Sequence, residues 1–202
     1  MSGNLFIVTA ASGAGKTSLV RALLEHDTQV RKSVSTTTRA PRAGEIHGRH
    51  YNFVAQEQFA QMLKRGEFLE HAEVHGHHYG TSRSWVEGSM QSGSDILLEI
   101  DWQGARQIRR IFPQAVGIFI LPPSLETLEQ RLRARGQDSP GVIAQRLQAA
   151  REEMSHVQEF DYVIINDKFE LAAQELSCIV RAQRLRLAAQ LEHHQDLINR
   201  LK

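Results

Sequence analysis

A chain of 202 residues is long enough for one α/β domain with a smaller inserted lobe. Its 24 Lys and Arg residues against 23 Asp and Glu residues give a net charge of +1, so no basic field argues for nucleic-acid or membrane binding. The single cysteine, Cys178, excludes a disulfide framework and a cysteine-rich metal site, and without a leader or a long apolar run we expect a cytoplasmic protein.

A glycine-rich loop follows the first predicted strand, residues 4–9, and leads into a predicted helix over residues 16–26. The loop consists of Ala10, Ala11, Ser12, Gly13, Ala14, Gly15, Lys16 and Thr17. Between a strand and a helix, such a loop is typical of phosphate binding, because backbone N–H groups and the positive end of the helix dipole surround an anion.

The polar side chains of this loop indicate a nucleotide. Lys16 would reach the outer phosphates, and Thr17 would offer its hydroxyl to Mg²⁺. Ala10 stands where the usual pattern has Gly. This change is tolerated, because the close backbone approach is needed mainly at Gly13 and Gly15.

Strands and helices alternate along the rest of the chain, a pattern that predicts a parallel, doubly wound sheet. Buried-strand runs, helical spacing and Pro or Gly breaks define the elements. Up to residue 82 the predicted elements are strands at 30–35, 51–54, 68–74 and 79–81 and a helix near 56–65. Beyond it they are strands at 95–101, 115–121 and 162–166 and helices at 104–112, 124–135, 141–157 and 169–200.

A polar, basic loop follows the second strand, in the pattern Ser35-x-x-x-Arg39-x-x-Arg42-x-Gly44-Glu45 with Tyr51 and Phe53 shortly after. This segment closely resembles the GMP-binding segment of guanylate kinases, and the resemblance continues to about residue 187. It implies a single α/β domain with a P-loop parallel doubly wound sheet. The core would comprise residues 1–35 and 83–202, with an inserted small α+β GMP-binding lobe at about 36–82 and a helical lid at about 136–145.

The same resemblance implies an enzyme that transfers the γ-phosphoryl group of ATP to GMP, giving ADP and GDP, in purine nucleotide metabolism and GMP recycling. The expected metal is Mg²⁺ and the expected partners are ATP and GMP, with neither nucleic acid nor membrane. A homo-oligomer is possible, because the leucines after residue 184 fit either an intramolecular cover or a subunit contact.

The resemblance also assigns roles to individual residues. Catalysis falls to Lys16, Arg39, Arg135 and Arg146, with Arg131 as a weaker candidate. ATP binding falls to loop residues 10–17 and to Asn166, which is expected near the adenine. GMP binding falls to Ser35, Arg39, Arg42, Tyr51, Glu70, Tyr79, Thr81 and Asp101.

Guanine has N–H donors at N1 and N2 and an acceptor at O6, so a carboxylate together with a hydroxyl can recognise it. Glu70 and Thr81 supply these groups. Glu99 and Asp101 share a strand face, so that one of them can read guanine while the other orders the water ligands of Mg²⁺. The sequence leaves this division open, and it leaves a helix cap as an alternative role for Glu99.

Three other functions fit parts of this sequence less well. Asp101-x-x-Gly104 fits a signalling GTPase, but the Asn-Lys-x-Asp guanine motif of that class is missing. A histidine metal site is disfavoured because no cysteine accompanies His71, His75, His77 and His78. A protein-binding module that has lost catalysis would typically lack a complete phosphate loop, and this chain has one.

Overall fold

The computed structural model describes residues 3–74, 76–134 and 139–202. In that part of the chain the strands are β1 (Leu5–Ala10), β2 (Val30–Lys32), β3 (Thr36–Thr37), β4 (Asn52–Phe53), β5 (Phe68–Val74), β6 (His77–Ser82), β7 (Asp95–Glu99), β8 (Val116–Leu121) and β9 (Tyr162–Ile165). The helices are α1 (Lys16–His26), α2 (Gln56–Lys64), α3 (Arg83–Gln91), α4 (Trp102–Ile111), α5 (Leu125–Ala134), α6 (Pro140–Ser155), α7 (Phe169–Arg184), α8 (Leu187–His193) and α9 (Gln195–Arg200), with a 3₁₀ turn at Val157–Glu159.

The larger sheet has the strand order β2-β7-β1-β8-β9, and all of its neighbouring strands are parallel. Its three central strands, β7, β1 and β8, are almost completely buried because helices cover both faces of the sheet there. Phe6 and Val8 point to one face, where they pack with α1 and α7, whereas Leu5 and Ile7 point to the other face, against α3 and α4. The predicted doubly wound α/β fold is confirmed.

A second sheet, of order β4-β3-β6-β5, is built from residues 36–82. β5 and β6 form an antiparallel hairpin whose register shifts between Phe68 and Glu70. This bulge lies beside Leu69, whose side chain packs into the core of the larger sheet. Leu69 therefore connects the second sheet to the core directly beside Glu70.

Several element boundaries differ from those that the sequence predicts. β2 ends at Lys32 instead of residue 35, and α4 begins two residues earlier because Asp101 caps it. Helix α3 was not predicted. The single predicted helix at 169–200 is divided into three, and the side chains of Leu185, Leu187 and Leu201 are 70%, 72% and 77% exposed. Within the described residues, these three leucines are not an intramolecular cover. None of the helices described is long and apolar enough to cross a bilayer.

Arg184 on α7 joins three parts of the core. Its guanidinium donates to Asp27 at 2.7 Å and 3.1 Å and to Asp95 at 2.6 Å. Asp95 is buried and also accepts from the backbone N of Asn4 at 2.7 Å.

We expect Arg184→Met to lower the free energy of unfolding by about 2 kcal/mol, because it leaves a buried carboxylate without its cationic partner. Urea denaturation at pH 7 measures this change. Arg181→Met, on the exposed side of the same helix, is the control and should change stability little. Equal unfolding midpoints for the two variants would contradict the assigned role of Arg184.

Candidate functional site

The phosphate loop connects β1 to α1 and contains two glycines in the left-handed region, Gly13 at φ 96° and Gly15 at φ 99°. A Cβ atom on Gly13 would lie 2.9 Å from Leu128 Cδ1, and one on Gly15 would lie 2.2 Å from Asn166 Nδ2. Both the backbone conformation and the surrounding side chains therefore require glycine at these two positions.

Asn166 lies directly after β9 and beneath the phosphate loop. Its buried side chain donates from Nδ2 to the carbonyl of Ala14 at 2.7 Å. The structure thus gives this side chain a supporting role for the loop. The contact with adenine that the resemblance implies stays a prediction.

Lys16 and Thr17 both point toward the carboxyl end of β7. Lys16 Nζ donates to the carbonyl of Ile100 at 3.3 Å, and Thr17 Oγ1 donates to Glu99 Oε1 at 2.6 Å. The other oxygen of Glu99 accepts from Lys32 Nζ at 3.3 Å. A hydroxyl and a carboxylate side by side at a phosphate loop are oxygen ligands that suit Mg²⁺. This ion commonly takes few protein ligands and completes its coordination shell with phosphates and water. No group of three or more potential metal-binding side chains occurs among the described residues.

The two acidic residues at the carboxyl end of β7, Glu99 and Asp101, have different surroundings. Asp101 Oδ1 accepts from the backbone N of Gly104 at 2.9 Å and caps α4. The alternative in which Glu99 forms this cap is therefore wrong. Glu99 faces Thr17, whereas the charge of Asp101 acts on Glu70.

One cleft of about 250 Å³ connects the phosphate loop to the second sheet. Its lining includes loop residues 10–13 and 15–18. From the rest of the predicted site it includes Ser35, Tyr51, Glu70, Tyr79, Glu99 and Asp101. Residues that are far apart in the sequence thus meet at the carboxyl end of the parallel sheet, where α/β folds commonly bind ligands.

Glu70 is buried in the wall of this cleft. The hydroxyl of Thr81, on the neighbouring strand, donates to Glu70 Oε1 at 2.5 Å. Burial, together with the charge of Asp101, raises the pKa of Glu70 to about 7, although the Thr81 hydrogen bond opposes the shift. Near neutral pH this carboxyl therefore exists in both protonation states.

Tyr51 lines the cleft beside Tyr79, with ring centroids 6.0 Å apart. Burial raises the pKa of Tyr51 to about 12, and the negative charge of Glu99 contributes in the same direction. The phenol therefore stays protonated and can donate a hydrogen bond to an anion.

The two arginines of the GMP-type motif do not line the cleft. Arg39 Nη2 donates to both carboxylate oxygens of Glu45, at 2.8 Å and 2.9 Å, while its guanidinium lies over the ring of Tyr51. Glu45 also accepts from the backbone N of Arg42, whose side chain is exposed. In this structure Arg39, which is predicted to bind a phosphate, is paired with the carboxylate of Glu45.

The predicted lid arginines are placed only in part. Arg135 lies outside the described residues, as do residues 136–138 of the predicted lid. Arg146 is on α6, half-buried and away from the cleft lining. Arg131 on α5 donates to the carbonyl of Asn166 at 2.8 Å, and its buried Nη1 has no hydrogen-bond partner within the described part of the chain.

Sequence reasoning missed a contact between α6 and the phosphate loop. Glu153 Oε2 accepts from the backbone N of Ser12 at 3.0 Å and lines the cleft. The two residues are 141 positions apart, and no local pattern marks the pair. Glu45, in contrast, is part of the motif, where its spacing from Arg39 could have suggested the ion pair.

The histidines considered as a metal site are on the hairpin of β5 and β6, apart from His75, which lies outside the described residues. The ring of His78 stacks on Phe59 with centroids 5.4 Å apart. The hairpin histidines that the structure describes are part of no metal-binding group.

Comparison with known proteins agrees with this geometry. A family model for guanylate kinase matches residues 2–183. The guanylate kinase of Methylobacillus flagellatus is 59% identical over 201 residues, covering 100% of both chains, and that of Aromatoleum aromaticum is 60% identical over 194 residues, covering 96% of this chain and 95% of its relative.

Solved structures extend the likeness to three dimensions. The crystal structure of guanylate kinase from Anaplasma phagocytophilum matches with a TM-score of 0.80 and 37% identity, covering 95% of this chain and 93% of the other. A gluconokinase from Sinorhizobium meliloti, with a TM-score of 0.51 and 14% identity over 93% of this chain and 97% of its own, shares the fold alone. The family model and the full-length relatives together show that this chain belongs to the guanylate kinase family.

Proposed function

We propose that this protein transfers the γ-phosphoryl group of ATP to GMP, giving ADP and GDP. The observation that carries the proposal is that a complete phosphate loop and the buried carboxyl of Glu70 line the same cleft. Phosphoryl transfer needs two substrates held in line and their charge neutralised, and the protein supplies little covalent chemistry of its own. A cleft that joins an anion site to a guanine-reading carboxylate meets the first of these needs.

The phosphate loop would hold ATP. Its backbone N–H groups and the Lys16 ammonium bind the β- and γ-phosphates, and the Thr17 hydroxyl with Glu99 would hold Mg²⁺. Mg²⁺ supplies charge neutralisation on the phosphate oxygens when bound. Asn166 fixes the loop carbonyl of Ala14, so that the amides keep their direction.

The acceptor would bind through two sets of groups. Glu70, hydrogen-bonded by Thr81, accepts from N1–H and N2–H₂ of guanine, and Ser35 and Asp101 lie in the same cleft. Arg39, Arg42, Tyr51 and Tyr79 are proposed to bind the GMP phosphate. For Arg39 this requires that the phosphate replaces the Glu45 carboxylate, an exchange of one anion for another around the same guanidinium.

Closure would bring the remaining arginines into the site. We propose that residues 36–82 act as a GMP-binding lobe and that about 136–145 act as a lid on a core of 1–35 and 83–202. Arg135 and Arg146 would then contact the transferring phosphate, and Arg131, whose buried Nη1 has no hydrogen-bond partner among the described residues, would be a further donor. Closure excludes water, which would otherwise compete for the phosphoryl group.

A coupled assay of ADP release with GMP, AMP, CMP and UMP tests the proposal. We expect turnover that requires Mg²⁺ and strongly favours GMP. If the chain bound GMP without releasing ADP, it would be a binding module. The complete phosphate loop argues against that alternative. Turnover with AMP equal to that with GMP would contradict the assignment of Glu70.

A further inference from the structure

One face of helix α4 is directed at the strand that carries Glu70. Gly104 and Gln107 are three residues apart and are therefore neighbours on the helix surface, and Asp101 is the N-cap that precedes Gly104 by three residues. Asp101 caps the helix and lies in the cleft, whereas Gly104 and Gln107 have no place in the proposed binding of either substrate. Both of these residues contact β5.

Gly104 allows the helix to approach the Glu70 carboxylate. A Cβ atom at position 104 would lie 2.4 Å from Glu70 Oε2 and 3.0 Å from Glu70 Cδ. The clash falls on the end of a side chain, which can rotate, and the rotation would turn the carboxylate away from its present direction. Glycine within a helix is otherwise unfavourable relative to alanine, by up to about 1 kcal/mol in a helix interior, so this close approach gives the glycine a physical reason.

Gln107 holds the backbone of β5 next to Glu70. Its Nε2 donates to the carbonyl of His71 at 2.7 Å, and its Oε1 accepts from the backbone N of His71 at 3.2 Å. β5 is an edge strand of the second sheet, and the side-chain amide satisfies the free edge as a neighbouring strand would. The bulge before Glu70 lies beside Leu69, which is buried in the same apolar cluster as Ala105 and Ile108 of α4.

We propose that Gly104 and Gln107 are positioning residues for guanine recognition. Gly104 leaves room for the present direction of the Glu70 carboxylate, and Gln107 fixes the backbone of β5 beside it. The carboxylate can then accept from both N1–H and N2–H₂ of the base. This inference rests on the proposed function, because it assumes that Glu70 reads guanine. It goes further by assigning part of the selectivity for guanine to helix α4, which packs on the larger sheet.

The test compares GMP with IMP, which lacks the 2-amino group and so loses one of the two hydrogen bonds to Glu70. For Gly104→Ala we expect the ratio of kcat/KM for GMP to that for IMP to fall about tenfold, while the KM for ATP stays unchanged. The ratio does not depend on the fraction of folded enzyme. The matched control is Gly88→Ala in helix α3, where an added Cβ meets nothing within 4 Å.

A second variant keeps the inference testable if Gly104→Ala does not fold. Gln107→Met retains the side-chain length and removes both hydrogen bonds to His71, and it should lower the same ratio by about tenfold. Gln174→Met, at an exposed position of α7, is its control. An unchanged ratio in a folded variant at either position, with wild-type enzyme active on GMP, overturns the positioning role.

Failure of the proposed function would look different, because wild-type enzyme would then release no ADP with GMP. In that case calorimetric titration with GMP and IMP supplies the same comparison. Preferential GMP binding that falls in both variants supports the positioning role. Equal binding of GMP and IMP by the wild-type chain overturns it.

Discussion

Replacement of Lys16 by Met should lower kcat by about two orders of magnitude or more while GMP still binds. Lys16 is on the wall of the cleft with its Nζ near the carbonyl of Ile100, and its charge would act on the phosphates of ATP. Loss of one such cation from the transition state corresponds to about 3 kcal/mol or more in the barrier. Met keeps the length of the side chain and removes only its charged end.

Two measurements on this variant separate catalysis from acceptor binding. The coupled assay gives kcat, and calorimetric titration gives the affinity for GMP. Lys64→Met, on the exposed side of α2, controls for the loss of a lysine and should leave kcat unchanged. A parallel collapse of GMP affinity in Lys16→Met would show that the two substrates do not have separate sites.

Replacement of Glu70 by Gln should lower kcat/KM for GMP by about 2–4 kcal/mol of transition-state stabilisation. The amide has the size of the carboxyl, but its NH₂ group would face one of the N–H donors of guanine, and two donors cannot form a hydrogen bond with each other. With AMP the loss should be smaller, or the efficiency should rise, because the amide can donate to N1 of adenine. Equal factors for GMP and AMP would make Glu70 a structural carboxyl.

The raised pKa of Glu70 adds a dependence on pH. Its pKa is about 7 in the folded chain against an ordinary value of 4.5, so ionised Glu70 accumulates only as pH rises through 7. We expect kcat/KM for GMP to increase between about pH 6 and pH 8 in the wild type, beyond the change in Glu70→Gln. The variant also corrects for titration of the GMP phosphate.

The same shift has an opposite effect on stability. A carboxyl whose pKa is raised by folding contributes stability that is complete below pH 4.5 and is lost as pH rises through 7. Glu70→Gln removes this loss, so at pH 8 the variant should be more stable than the wild type, by up to about 3 kcal/mol. Urea denaturation at pH 5 and pH 8 measures the difference, which should be larger at the higher pH. The ionised form of Glu70 would then lower the stability of the fold although guanine recognition requires it.

Local signals explain how much of this structure the sequence predicts. The helix from Lys16 to His26 has the predicted bounds, because apolar spacing and the glycine loop define both ends. The buried strand β8 is recognised because its apolar run ends at Pro122 and Pro123. Motif and resemblance single out the phosphate loop and Ser35, Tyr51, Glu70, Tyr79 and Asp101, and the structure brings these residues together in one cleft.

Contacts between distant segments explain what the sequence does not predict. Glu99 and Asp101 are both acidic and are two residues apart, and only the positions of Thr17 and of the N-terminus of α4 distinguish their surroundings. The pKa of Glu70 depends on its burial and on the charge of Asp101, which comes from a distant part of the sequence. The contact between Gly104 and Glu70 requires a helix and an edge strand whose approach no local spacing encodes.

The hydrogen bond between Asn166 and Ala14 has a consequence for biosynthesis, because it joins residues 152 positions apart. A chain still on the ribosome that has not yet released β9 lacks the side chain that supports its phosphate loop. β1 is likewise central in the sheet, while its partners β7 and β8 are synthesised much later. A ligand stabilises only the form that binds it. Cellular ATP would therefore act on the finished chain and could not guide the nascent N-terminal half toward its fold.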